Sequence, residues 1–171
     1  MIKGLRDLSQ VEQGQVHPET VDLDDIIKEV IDSLELVIAD TKAQVGAGPL
    51  PKVNADRFQM LQLFTNLVHN AIKFRKPDEV PQVWISGRQT EGDWVEIQVE
   101  DKGIGFDLKY AEKIFEPFQR LHGEKAYSGS GLGLAIAEKI VLRHGGKITV
   151  KSDPGAGAVF TVRLPGLFND N

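Results

Sequence analysis

Asn66-Leu67-Val68-His69-Asn70-Ala71-Ile72-Lys73-Phe74 is the stretch whose reading decides this chain. It closes a long amphipathic run that Asp56 opens as an N-cap, which predicts a helix from Asp56 to about Phe74. Stepping about 100° per residue centres the apolar arc on Phe64, Val68 and Ala71, with Leu61 and Leu67 at its flanks. Asn66, Asn70 and Lys73 then fall together on the opposite side. A solvated face is the ordinary explanation of a polar stripe. Asparagine, however, is a mediocre helix former, and Glu, Lys or Arg would serve solvation better. An Asn/Asn/Lys face instead turns amide oxygens, which suit a hard cation such as Mg²⁺, and an ammonium, which suits phosphate oxygens, toward a ligand.

Downstream the periodicity changes to two. Val83, Ile85, Val95, Ile97 and Val99 alternate with polar residues on either side of Glu91-Gly92-Asp93, which predicts an antiparallel hairpin. The hairpin leads into Asp101-Lys102-Gly103-Ile104-Gly105-Phe106. Here a carboxylate at a strand end can accept from an exocyclic amine, and glycines let backbone lie against a flat ring; a plain strand-to-loop turn is the alternative. Tyr110 to Phe118 predicts a short helical piece, and His122 to Ser130 a mobile polar stretch. Gly129-Ser130-Gly131-Leu132-Gly133 then runs straight into a helix from Leu132 to Arg143. Free amides at a glycine-preceded helix start make a phosphate site, although a flexible linker has the same composition. The spacing is not G-x-G-x-x-G, and no G-x-x-x-x-G-K-[ST] occurs, so dinucleotide and P-loop readings fail. Lys147 to Val150 and Val159 to Leu164 pair as strands about Asp153-Pro154-Gly155.

Upstream, Val21 to about Asp40 predicts one helix capped by Asp22, with Ile26, Ile27, Val30, Leu34, Val37 and Ile38 as its buried stripe. It follows a break at His17-Pro18-Glu19. Ala43 to Val53 holds two short extended pieces around Gly46-Ala47-Gly48-Pro49. Ile2, Leu5, Leu8 and Val11 space as the tail of an amphipathic helix that Gly14 ends. Helices followed by mixed strands give an α+β, two-layer pattern rather than a regular βαβ array.

The whole chain of 171 residues, 41 % hydrophobic and 26 % charged, has the composition of one globular domain with a short attachment. Its net charge of −5 argues against nucleic-acid backbones and anionic membrane surfaces as partners. The absence of cysteine removes disulfides, thiolate zinc sites and cysteine nucleophiles together. No apolar run approaches the ~18 residues of a membrane span, and Met1 to Asp7 lacks the apolar core of a signal peptide. The expectation is a cytoplasmic domain without direct membrane contact, whose parent could still be membrane-anchored.

Taken in order, these segments resemble the catalytic, ATP-binding domain of sensor histidine kinases, within the GHKL superfamily that also holds DNA gyrase, the MutL mismatch-repair ATPases and heat-shock chaperone ATPases. The likeness runs from about Val21 to Pro165. Asn66 to Phe74 matches the N box, Asp101 to Gly105 the G1 box, Ile114-Phe115-Glu116-Pro117-Phe118 the F box and Gly129 to Gly133 the G2 box. Arg143-His144-Gly145-Gly146 through Phe160-Thr161-Val162 matches the family's ending. Phe74-Arg75 and Phe118-Gln119-Arg120-Leu121-His122 further resemble kinases attached to phytochrome-like photoreceptors.

That resemblance implies a two-layer α/β sandwich with a mixed sheet covered on one face by helices, and it implies Mg²⁺-ATP as the ligand. Asn70 would be the Mg²⁺ ligand, with Asn66 supporting metal and phosphates and Lys73 contacting phosphate. Phe74 would pack on the adenine and Asp101 accept from its amino group, with Gly103 and Gly105 letting the base lie against the loop. Arg120 would reach the γ-phosphate from a lid spanning about Arg120 to Ser130. Gly129, Gly131 and Gly133 would hinge that lid and offer backbone amides. Hydrolysing members of the superfamily carry a glutamate where this chain has Asn66, because activating water needs a group that takes a proton. An amide cannot, so the implied catalytic set of Asn66, Lys73 and Arg120 serves transfer to an external nucleophile.

A histidine kinase also needs a phosphoacceptor histidine on a dimerisation helix, followed by an acidic residue. His17, His69, His122 and His144 do not fit that context. Leu5-Arg6-Asp7-Leu8-Ser9-Gln10-Val11-Glu12 instead resembles the end of the second dimerisation helix. The expected organisation is residues 1–16 as a remnant of that helix and 17–171 as the catalytic domain, monomeric by itself and unable to phosphorylate itself. Its partners would be the phosphoacceptor helix of a homodimeric parent and the receiver domain of a response regulator. A serine kinase of the anti-sigma-factor type and a degenerate docking module stand as alternatives.

Overall fold

Alternating burial builds the sheet. The computed structural model describes residues 2–123, Tyr127 and 129–167. Along β4 (Gln82–Thr90) and β5 (Trp94–Asp101), Val83, Ile85, Val95, Ile97 and Val99 are buried, while intervening residues such as Trp84 face outward. The two strands pair antiparallel from Val83↔Asp101 to Thr90↔Trp94, so the turn sits on Glu91-Gly92-Asp93 as expected. β6 (Lys147–Ser152) and β7 (Ala158–Pro165) also pair antiparallel, and β7 lies beside β5. β2 (Gln44–Ala47) joins β4 in parallel, which makes the five-stranded sheet, β2-β4-β5-β7-β6, a mixed one.

Helices cover the apolar side. α4 (Arg57–Lys73) packs on β4 and β5, and α5 (Gly133–Arg143) packs on β6, β7 and α4. Asp56 caps α4 as expected, its carboxylate accepting from the Gln59 N–H at 3.0 Å. The buried arc of α4 is wider than the sequence spacing indicates. Met60, Leu63 and Ile72 join Phe64, Leu67, Val68 and Ala71 in the core, whereas Leu61 is half-buried. The cause is tertiary: α4 is enclosed by the sheet and by the neighbouring helices at once.

The expected single helix from Val21 to Asp40 is divided. Glu19–Asp22 forms β1, which pairs with β3 (Lys52–Ala55) as a separate two-stranded sheet. Asp22 still caps α2 (Leu23–Ser33), accepting from the Asp24 N–H at 3.0 Å, and α2 packs on α4. Leu34 then separates α2 from α3 (Glu35–Thr41). There the Ser33 hydroxyl donates to the Val30 carbonyl at 2.7 Å, competing with the helical ladder for that acceptor. The helical piece expected over Tyr110 to Phe118 is two 3₁₀ turns, Leu108–Tyr110 and Lys113–Phe115.

The amphipathic N-terminal segment forms α1 (Ile2–Gln13), which lies on α5 with Val11 buried and Leu8 packed against the core. The Arg143 guanidinium ties it down by donating to the carbonyls of Glu12, at 2.7 Å, and of Gly14. Next to it, His144 accepts the Asp56 N–H on Nε2 at 3.0 Å, so Nδ1 carries the proton and donates to the Ile140 carbonyl at 2.7 Å. Both ring nitrogens are engaged, in keeping with a structural role.

Candidate functional site

The C-terminal half of α4, the end of β5 and the loop before α5 converge on a cavity of about 270 Å³. Asn66, Asn70, Lys73 and Phe74 line it, as do Asp101, Gly105, Arg120, Gly129, Gly131 and Gly133. Every residue singled out from the three motifs lies in this wall except Gly103. Gly103 sits behind it and donates its N–H to Asp101 Oδ1 at 2.8 Å. A Cβ there would come within 2.2 Å of the Phe74 carbonyl oxygen, which accepts from the Ile104 N–H at 2.9 Å. Glycine at 103 thus lets the end of β5 dock against the end of α4, a reason the sequence did not show.

Asp101 is 7 % exposed and ends β5. Burial pushes its carboxyl up to about 6 despite backbone N–H donors from Gly103 and Ala158, and the charge of Glu100 adds to the rise. It is the lone carboxylate among the described residues lining the cavity. An acceptor this desolvated is poised for a donor from a ligand.

The opposite need appears along α4. The Asn66 amide nitrogen is buried and has no hydrogen-bond partner among the described residues. The Lys73 ammonium forms no salt bridge among the described residues and lies 4.6 Å over the Phe74 ring. Burial lowers its proton affinity, and the charge of Arg120 lowers it further. A Cβ on Gly129 would stand 2.6 Å from this ammonium, at φ +142°, so glycine there leaves the cation room. A cavity with two cations and an unpartnered amide donor on its walls calls for an anion with several oxygens.

Beyond Phe74, sequence reasoning assigned no role to the aromatic part of the wall. Phe74 makes tilted ring contacts with Tyr127, at 5.1 Å between centroids, and with His122, at 5.9 Å. Phe106 and Phe160 line the cavity as well. The signal for Tyr127 was its standing as the sole aromatic in the polar run from Gly123 to Gly133. Of the lid expected over Arg120 to Ser130, residues 124–126 and 128 lie outside the described residues.

Residues 55–167 match the family model described as histidine kinase-, DNA gyrase B- and HSP90-like ATPase. Cyanobacterial phytochrome A from Nostoc sp. (strain PCC 7120) is 40 % identical over 157 residues, covering 92 % of this chain and 20 % of that protein. Sensor-like histidine kinase SenX3 from Mycobacterium tuberculosis (strain H37Rv) is 35 % identical over 175 residues, covering 98 % of this chain and 42 % of that protein. The chain therefore spans between a fifth and about two fifths of these relatives. Histidine kinase ThkA, solved in complex with response regulator protein TrrA, superposes with a TM-score of 0.78 at 25 % identity over 97 % of this chain and 47 % of that one. With the matched region beginning at Ala55, one residue before the cap of α4, and running through β7 to Leu167, the chain belongs to the histidine kinase-, DNA gyrase B- and HSP90-like ATPase family, as an ATP-binding domain of the sensor histidine kinase kind.

Proposed function

We propose that this domain binds Mg²⁺-ATP in the cavity and transfers the γ-phosphoryl group to a histidine lying outside residues 1–171. The observation that carries the reading is the presence of two cations, Lys73 and Arg120, beside an Asn66 amide that has no partner among the described residues, on a wall where Asp101 is the one carboxylate among those residues. Lys73 and Arg120 neutralise the transferring group, and Asp101 orients the base by accepting from its exocyclic amine. Asn66 has no affinity for a proton, so a water beside it is not activated and the phosphoryl group awaits a better nucleophile. The imidazole nitrogen of the acceptor attacks the γ-phosphorus, the bond to the β–γ bridging oxygen breaks, and ADP leaves.

The donor set fits Mg²⁺ held largely by the nucleotide. No cluster of three His, Cys, Asp or Glu occurs among the described residues, and the neutral amide oxygens of Asn70 and Asn66 would complete the coordination of a metal arriving with phosphate. The metal's contribution would be to neutralise charge on the phosphate oxygens. Because ThkA was solved with a response regulator, a receiver domain is the downstream partner we assign. We assign the domain to the cytoplasm, as ATP and a receiver partner would require, and a homodimeric parent would supply the acceptor helix. The test is incubation with γ-labelled ATP and a separately supplied dimerisation segment carrying the histidine. Acid-labile, alkali-stable label on the segment is expected, whereas acid-stable label would assign a serine kinase, and nucleotide binding without any transfer a docking module.

A further inference from the structure

We propose that Tyr127 is a positioning residue of the nucleotide site, holding Arg120 opposite Lys73 so that both cations meet the terminal phosphate. The inference rests on the nucleotide reading above and deepens it.

Tyr127 is fixed from two sides. Its hydroxyl donates to the Arg75 carbonyl at 3.0 Å, just beyond the end of α4, and its own carbonyl accepts from Arg120 Nη2 at 2.7 Å. Its ring packs on Phe74 at 5.1 Å and on His122 at 5.8 Å. A tyrosine with no task in a polar run would leave its hydroxyl to water. Here the hydroxyl and ring moor residue 127 to the end of α4, and the moored carbonyl aims the guanidinium. Lys73 and Arg120 line the same cavity, and the charge of Arg120 lowers the proton affinity of Lys73.

An arginine side chain that must be ordered as a ligand binds gives up rotamer freedom at that moment. Holding the guanidinium in advance moves that ordering cost out of the binding step. The consequence is selective. A nucleotide that presents its terminal phosphate to both cations gains more from the mooring than one that lacks that phosphate.

The experiment is a calorimetric titration of the 171-residue chain with AMPPNP and with ADP, both with Mg²⁺, on wild type, Tyr127→Phe, Arg120→Ala and the double variant. Tyr127→Phe keeps the ring and removes one neutral hydrogen bond, so the AMPPNP-to-ADP affinity ratio is expected to fall about fivefold, within the range of such a bond. In the Arg120→Ala background the same substitution is expected to leave the ratio unchanged, because the two residues act as one unit. A purely structural tyrosine would weaken both nucleotides equally and additively with Arg120→Ala, and that result overturns the proposal. So does an unchanged ratio in Tyr127→Phe with an intact melting transition. Tyr127→Leu, lacking the ring as well, should show the same shift in ratio on top of a general loss of affinity. If wild type binds neither nucleotide, the nucleotide reading itself falls, and this inference with it.

Discussion

On one side of α4, Met60, Leu63, Phe64, Leu67, Val68 and Ile72 are wholly buried against the sheet and the neighbouring helices. On the other, within the same turns, Asn66 keeps an amide nitrogen without a partner and Lys73 an ammonium without a carboxylate among the described residues. The first side is closed to water, whereas Asn66, Asn70 and Lys73 on the second are half-buried at the cavity. The difference teaches where stability and ligand binding are separated in this fold. They divide across the width of a single helix, so the rigid apolar side fixes the spacing of the polar one.

Substitutions on either side should therefore act on different observables. The largest effect is expected from Phe64→Ala, which opens a cavity in the core and should cost about 3–5 kcal/mol in urea unfolding. An equal loss of stability from Asn70→Ala would break the comparison, since that change should abolish Mg²⁺-nucleotide binding and leave the melting transition nearly in place. Next comes Asp101→Asn, which removes a charged acceptor and should weaken adenine nucleotides about 10- to 100-fold in calorimetry.

The pH dependence sharpens the same point. With its folded pKa raised to about 6 from an ordinary 3.8, Asp101 binds more protons in the native state than in the unfolded state between those values. Its contribution therefore makes the fold more stable as pH falls through about 6, while the ionised acceptor that the proposed nucleotide reading requires is lost. Stability and affinity should move in opposite directions over this window, and Asp101→Asn should flatten both trends. Smaller again, Asp56→Ala removes the cap of α4 and the Asp56 acceptor for the His17 N–H, for a loss of about 1–2 kcal/mol by thermal melting. The smallest change is expected for Phe58→Ser, on the outward side of α4 at 70 % exposure, within about 0.5 kcal/mol of wild type.

What could be read in advance follows the range of the forces involved. The cap at Asp56, the extent of α4, the hairpin about Glu91-Gly92-Asp93 and the β6–β7 pair all came from signals within a few residues of one another. That Asn66, Asn70, Lys73, Asp101 and the glycines of 129–133 line one cavity was legible for the same reason, as motifs local in the chain, whereas Arg120 came only through the family resemblance. β1 was not legible. Glu19–Asp22 has no alternation of its own and becomes a strand because Val21 pairs with Val53, more than thirty residues on. Leu34 likewise carries no breaker of the Gly or Pro kind, although the chain leaves helical geometry there beside the Ser33 hydroxyl's bond to the Val30 carbonyl.

By itself, then, the sequence determined the α+β class, the place of each long element and the chemical types that line the site, because periodicity, caps and turn residues act over a few positions. Only the tertiary structure decided that β2 would join β4 in parallel, that α1 would be tied to α5 by Arg143, and that Tyr127 would reach both Arg75 and Arg120. Those contacts span from several to more than a hundred positions. Which of the possible partners meet is set by how the sheet and α4 pack together, a property of the whole fold that no local pattern encodes.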